Sequence, residues 1–254
     1  MIESRSAAAA LELKRRIVQG MVPPGARLSE RTISRGLNVS RTPLREALLQ
    51  LESERLVERT PSGAWRAPRL TERDVRDIFA VRKQLEVLAV RLTIERASDT
   101  EVASLEQYLT ASEEAHESLD SIKMTLANGG FHSAVYRSAH SAWLTNVIEP
   151  IRSQTIRIRF LVASQATAPE YPEGHRQIYD ALVRRNVHTA EAIVSDHVDQ
   201  DLKVAVRHLN LLSGPGGLFY YTESDMLTEP LNAGARPDIT GSGRAPAGTG
   251  TDAS

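Results

Sequence analysis

The sequence predicts a mainly α-helical protein: an N-terminal winged helix-turn-helix of three helices plus a β-hairpin, then an antiparallel all-helical bundle. Three observations predict it. Short elements punctuated by Pro and Gly fill residues 1–70, and sustained helical periodicity without a useful strand pattern runs through residues 71–212. The charge divides along the same line: residues 1–70 hold 13 Lys and Arg against 7 Asp and Glu, a balance of +6, and the remainder carries −7, so a net charge of −1 conceals a basic module joined to an acidic one.

In the first region, Leu11 to Gly20 reads as a helix closed by Gly20, and Pro23-Pro24-Gly25 as a turn. A second short helix follows Ser29 and ends near Arg35, where Gly36 and Asn38 break it. A third begins at Ser40, whose side chain is placed to cap the exposed amides of the Arg41-Thr42-Pro43 start. Leu44, Ala47, Leu48 and Leu51 repeat at helical spacing and define its buried face. Two extended runs, Val57–Arg59 and Ala64–Ala67, flank Pro61-Ser62-Gly63 and read as a hairpin. The second region reads as about six amphipathic helices, near 72–97, 100–117, 119–140, 143–165, 172–186 and 188–211. From Ser213 onward, Gly, Pro, Ser and Thr dominate a tail (213–254) that cannot bury enough apolar surface to fold, apart from the local run Leu218–Tyr221.

Composition limits the chemistry. Apolar residues at 41% suffice for real cores, and the absence of cysteine excludes disulfides, thiolate metal sites and a thiol nucleophile. No window approaches the roughly 18 apolar residues of a membrane span, and the expectation is a soluble, cytoplasmic protein without membrane association. A basic module suits phosphate binding. Arg41, Thr42 and Arg45 fall on the first turn of the third helix, opposite its leucine face, where donors reach phosphates and guanine edges in a major groove. Arg31 and Arg35 on the preceding helix face the same groove, and Gly63 lets the hairpin turn approach the sugar-phosphate backbone.

These residues carry a resemblance. The opening Ile17-x-x-Gly20-x-x-x-Pro24-Gly25-x-Arg27-Leu28, then Val39-Ser40-Arg41-Thr42-Pro43-x-Arg45-Glu46-Ala47-Leu48, then Leu51-x-x-x-x-Leu56-Val57 resemble the DNA-binding domain of the GntR family of bacterial regulators. The resemblance implies operator contacts by Arg31, Ser40, Arg41, Thr42 and Arg45, with Gly63 in the wing. Ser34 and Gly36 depart from the family's usual residues.

In the helical region Asn128 and His132 lie four apart on one helix face, with His175 and His197 on two later helices, a set that suits Zn²⁺, Ni²⁺ or a similar divalent ion; hydrogen-bonded core histidines are the other reading. Residues 72–211 also resemble the FCD effector domain of the FadR-like branch, through Arg82-x-x-Leu85-Glu86-x-x-Ala89, Phe131-His132-x-Ala134-Val135, Gly174-His175-x-x-Ile178-x-x-Ala181-Leu182, and Ala190 with His197. That resemblance implies metal ligation by His132, His175 and His197, with Asn128 where an Asp is usual and Gly174 where a Glu is common. Arg82 falls on an apolar stripe, so it requires either an anionic effector or a salt bridge, to Glu86 or another bundle carboxylate; Arg137 and Arg159 are further effector candidates. The combined expectation is a homodimeric, ligand-responsive repressor that binds a near-palindromic operator and senses a small organic acid beside a metal. Two alternatives stand: a helical domain serving dimerisation only, with structural histidines, and a metal-dependent hydrolase or lyase.

Overall fold

The computed structural model describes residues 5–163 and 173–212; the expected tail and its Leu218–Tyr221 run lie outside them. Helix α1 spans Arg5–Val18, beginning six residues before the expected start because the alanine run is helical and buries Ala9 and Ala10. Strand β1 (Arg27–Leu28) precedes α2 (Glu30–Gly36) and α3 (Arg41–Ser53), and β2 (Glu58–Arg59) and β3 (Trp65–Arg66) complete the unit. The sequence indicated only the hairpin. β1 pairs antiparallel with β3, giving a three-stranded sheet of order β1-β3-β2, with Leu28 opposite Trp65.

Leu13, Ile17, Ile33, Leu44, Leu48, Leu51, Leu56 and Trp65 form one apolar core under α1, α2, α3 and the sheet. Its burial is what holds short elements that are marginal alone. Ser29 caps α2 by accepting from the amide of Thr32. Ser40 occupies the cap position of α3 with extended backbone, but its side chain makes no capping hydrogen bond, correcting that expectation. The departure at Ser34 has a local reason: its hydroxyl donates to the carbonyl of Val39 at 2.6 Å and closes the turn between α2 and α3.

Seven helices follow: α4 (Glu72–Arg96), α5 (Asp99–Ser104), α6 (Glu106–Glu117), α7 (Ser121–Ser138), α8 (Ala142–Ala163), α9 (Glu173–Val183) and α10 (Val187–Leu212). The single helix expected near 100–117 is two, divided at the buried Leu105. Capping boxes at Thr71/Asp74 and Ser98/Glu101 start α4 and α5. A second apolar core, including Val75, Phe79, Phe131, Ile148, Leu182 and Val194, joins α4, α7, α8, α9 and α10. Gly130 sits inside α7 because α6 approaches closely there: a Cβ would lie 2.6 Å from the Tyr108 ring. Among the described residues, no helix is long and apolar enough to cross a membrane.

α8 also touches the N-terminal unit. Gln154 Nε2 donates to the carbonyls of Glu54 and Arg55, at 3.3 and 2.8 Å, just past the end of α3. Arg157, fully buried, donates through Nη2 to the Pro68 carbonyl at 2.7 Å in the segment leading to α4.

Candidate functional site

Two groups of residues stand out, one on the surface of the N-terminal unit and one buried in the helical bundle. Arg31, Arg35, Ser40, Arg41, Thr42, Arg45 and Gly63 are all exposed, as a face reading another macromolecule requires. Ser40, Arg41, Thr42 and Arg45 cluster at the start of α3, and Gly63 lies in the β2–β3 turn with φ +79°. Arg45 rests against Glu30, Nε to Oε2 at 3.1 Å, an exposed pair that phosphate can displace. Sequence reasoning missed Arg59, whose guanidinium lies over the Trp65 ring at 4.3 Å and adds a cation to the wing; an Arg within a strand of the hairpin was the available signal.

The buried group is assembled from five helices. α7 supplies His132, α9 His175 and α10 His197, and one potential ligand atom from each lies within 4.8 Å of the others. Nε2 of His132 and Nε2 of His175 are 3.0 Å apart. Nε2 of His197 has no hydrogen-bond partner among the described residues. Gly174 is what admits this ring: a Cβ there would lie 2.6 Å from His197 Nδ1.

Around the imidazoles runs a closed set of charges. Glu86 Oε2 lies 3.3 Å from His132 Nδ1, and its Oε1 accepts from Arg82 Nε at 2.6 Å and from the Tyr136 hydroxyl at 2.7 Å. Asp201 Oδ2 accepts from Arg82 Nη1 at 2.7 Å and from Arg159 Nη2 at 2.5 Å, and it stands 3.6 Å from His197 Nε2. Arg82 therefore points inward and pairs with the carboxylates of Glu86 and Asp201, the salt-bridge alternative, while its Nη2 also stands 3.5 Å from His132 Nε2.

Burial pushes all three histidines toward the neutral form, His197 down to about 4, with His132 and His175 also lowered. Burial opposes ionisation of Glu86 and Asp201, but the charge of Arg82 for the first and of Arg159 and Arg82 for the second outweighs it and holds both carboxyls well below their ordinary range. The result is two carboxylates, two guanidiniums and three neutral imidazoles. Neutral imidazoles are the ligand-competent form. Glu86 accepting from His132 Nδ1–H would leave the Nε2 lone pair facing the other rings, the tautomer that second-shell carboxylates impose on metal-bound histidine. The donor set and the unpartnered Nε2 of His197 thus fit a late divalent cation.

Not every candidate joins this site. Asn128 lies one turn before His132, with its Oδ1 accepting from Ser112 Oγ of α6 at 2.9 Å. Arg137 is not brought to the cluster: it is exposed on α7, with Nη2 3.4 Å from the Tyr108 hydroxyl. Arg159 is brought to the cluster through its bond to Asp201. Asp201 and Tyr136 escaped sequence reasoning, although Asp201 follows His197 at the i, i+4 spacing that puts both on one face.

A basic winged helix-turn-helix joined to a helical bundle with a buried polar cluster defines a DNA-binding regulator with a sensing domain. Residues 5–66 match the family described as bacterial regulatory proteins, gntR family, and residues 77–200 match the FCD domain. The HTH-type transcriptional regulator YdhC of Bacillus subtilis is 30% identical over 192 residues, 75% of this chain and 86% of that protein. The HTH-type transcriptional repressor RspR of Escherichia coli is 26% identical over 198 residues, 78% of this chain and 86% of that one. The solved structure of E. coli McbR/YncC, 25% identical, superposes with a TM-score of 0.74 over 83% of this chain and all (100%) of its own. The chain belongs to the GntR family of bacterial transcriptional regulators and carries an FCD effector domain. Its relatives are transcriptional regulators, which removes the metal-hydrolase alternative.

Proposed function

We propose that this regulator is a homodimeric repressor whose operator affinity is set by a small organic acid bound beside a divalent metal in the FCD domain. In this reading residues 1–70 are the DNA-binding module, residues 71–212 the effector and dimerisation domain, and residues 213–254 a tail outside both. The dimer acts on near-palindromic operators in the cytoplasm, with Arg31, Arg35, Ser40, Arg41, Thr42 and Arg45 on the groove and Gly63 at the backbone. RspR, named as a repressor, supports the sign of regulation.

One observation carries the sensing half: three buried neutral imidazoles from three helices converge, and His197 Nε2 has no hydrogen-bond partner among the described residues. A buried polar atom without a partner costs about 1–3 kcal/mol, a cost that a bound ligand would offset. His132, His175 and His197 would hold the metal, and Asn128 would add a neutral amide only by giving up the bond that its Oδ1 accepts from Ser112. The cation would supply positive charge and an open coordination position for a carboxylate. Glu86 holds the orientation of His132, and Arg82 and Arg159 stand ready to orient the anion.

The route to DNA is supported by α8. Arg159 reaches the cluster, while Gln154 and Arg157 of the same helix bond the backbone beyond α3 and before α4. A displacement of α8 of the size that separates two packed states would alter the placement of α3 against a half-site. Effector binding then shifts the population between DNA-competent and DNA-incompetent arrangements.

Metal content by mass spectrometry on untagged protein, alongside a His132→Ala/His175→Ala double variant, tests this reading. We expect about one divalent ion per chain, lost in the variant, with operator affinity that changes on chelation. A second reading, a purely structural FCD domain, is favoured by the fact that Arg82 and Arg159 already have carboxylate partners. No metal in either protein, with operator binding indifferent to chelator, establishes that second reading and ends the first.

A further inference from the structure

Within the cluster, the charges cancel without any ligand. The guanidiniums of Arg82 and Arg159 are balanced by the carboxylates of Glu86 and Asp201. The two carboxylates are not equivalent. Glu86 is 3% exposed and bound to Arg82, Tyr136 and His132 through both oxygens, so it is fixed structure. Asp201 holds both guanidiniums through a single oxygen, Oδ2, and at 24% it is more exposed than Arg159 (16%), His197 (10%) or Arg82 (2%). Its Oδ2 occupies the point shared by both arginines, 3.6 Å from His197 Nε2, which has no hydrogen-bond partner among the described residues.

We propose that Asp201 is an internal stand-in for the carboxylate of the ligand, and that a small organic anion binds by exchange, taking the arginine pair as Asp201 leaves it. This rests on reading the cluster as a ligand site and adds how that site guards its selectivity. Without a metal, and while Asp201 remains, an entering anion leaves the cluster with an excess negative charge in a poorly solvated place, which is strongly disfavoured. A carboxylate that reproduces the Asp201 contacts with Arg82 and Arg159 can replace it, and Asp201, already at the edge of the cluster, can recover hydration. The exchange also cuts the link that Asp201 makes from α10 to α8 and α4 through one atom. α8 is the helix that reaches the N-terminal unit, so the exchange is felt where operator affinity is set.

The test uses full-length protein held in chelator, so that it does not depend on metal. Wild type and Asp201→Asn are titrated with acetate, lactate and citrate at constant ionic strength, with binding read by calorimetry. With its carboxylate gone, the variant has an arginine pair short of one negative charge, and we expect at least one of these anions to bind about tenfold or more tightly than to wild type. Asp201→Ser repeats the measurement with a smaller side chain, guarding against a packing fault peculiar to the Asn amide. Adding Arg159→Met to Asp201→Asn should abolish the gain. Folded variants that bind all three anions no more tightly than wild type overturn the proposal, as does a gain that survives loss of Arg159. Metal analysis of the same proteins before chelation reports separately on the metal-bearing reading.

Discussion

A Cβ on Gly174 would lie 2.6 Å from Nδ1 of His197, so the absence of a side chain on α9 sets the position of an imidazole on α10. Gly174→Ala should therefore displace that ring while giving α9 a better helix former, worth up to about 1 kcal/mol. The expected outcome is metal affinity reduced about tenfold to a hundredfold, the range seen when a ligand's supports are altered, with a thermal midpoint unchanged or raised. Calorimetric titration with Zn²⁺ or Ni²⁺ beside a melting curve checks both halves, and unchanged affinity would show that His197 is not held by this contact. On the DNA face, Arg41 is exposed at the start of α3 with no intramolecular ion pair among the described residues, so Arg41→Ala leaves the fold intact. Operator binding measured by fluorescence anisotropy should weaken by ~1–3 kcal/mol if the side chain reads a base edge. If it meets only phosphate, the loss should be uniform across sequences, and the salt slope should fall by about 1.

At the scale of elements, α8 is the most informative. Arg157 is fully buried at the junction with the N-terminal unit, and its Nε and Nη1 have no hydrogen-bond partner among the described residues. Burial pulls its pKa down to about 10 despite the opposing charge of Glu58. An under-paired buried guanidinium is a poor source of stability, and replacement by an apolar side chain of similar length is commonly neutral or favourable. Arg157→Met should leave stability in urea unchanged or raise it by on the order of 1 kcal/mol, while removing the hold on the Pro68 carbonyl. If that hold transmits the state of the cluster, operator affinity in the variant should respond less to chelator than in wild type. A loss of several kcal/mol in the urea experiment would mean instead that the bond to Pro68 is a main fastening of the junction. The neighbouring Gln154 makes the corresponding bonds to Glu54 and Arg55 and serves as the comparison site.

For the whole molecule, the +6 of residues 1–70 against −7 in the remainder predicts operator binding that weakens steeply with salt. Log affinity plotted against log salt concentration should be linear, and a flat plot would exclude a phosphate-dominated interface. That charge division was legible because it needs only counting, and the α2–turn–α3 core was legible because Leu44, Leu48 and Leu51 repeat at helical spacing in contiguous chain. β1 was not, since two residues carry no period and the strand exists only through pairing with β3. Likewise, the break at Leu105 follows from packing of a buried residue rather than from a Gly or Pro signal. In the bundle, the sequence by itself determined which side chains could form a site: His132, His175, His197, Arg82 and Arg159 were all named from pattern and resemblance. Only the tertiary structure decided that Asp201 closes the arginine pair and Glu86 orients His132, that Arg137 stands apart, and that Asn128 is bonded to Ser112. The physical reason is that helical spacing reports a residue's face within one helix, whereas convergence of atoms from five helices depends on how those helices pack, which no local period encodes.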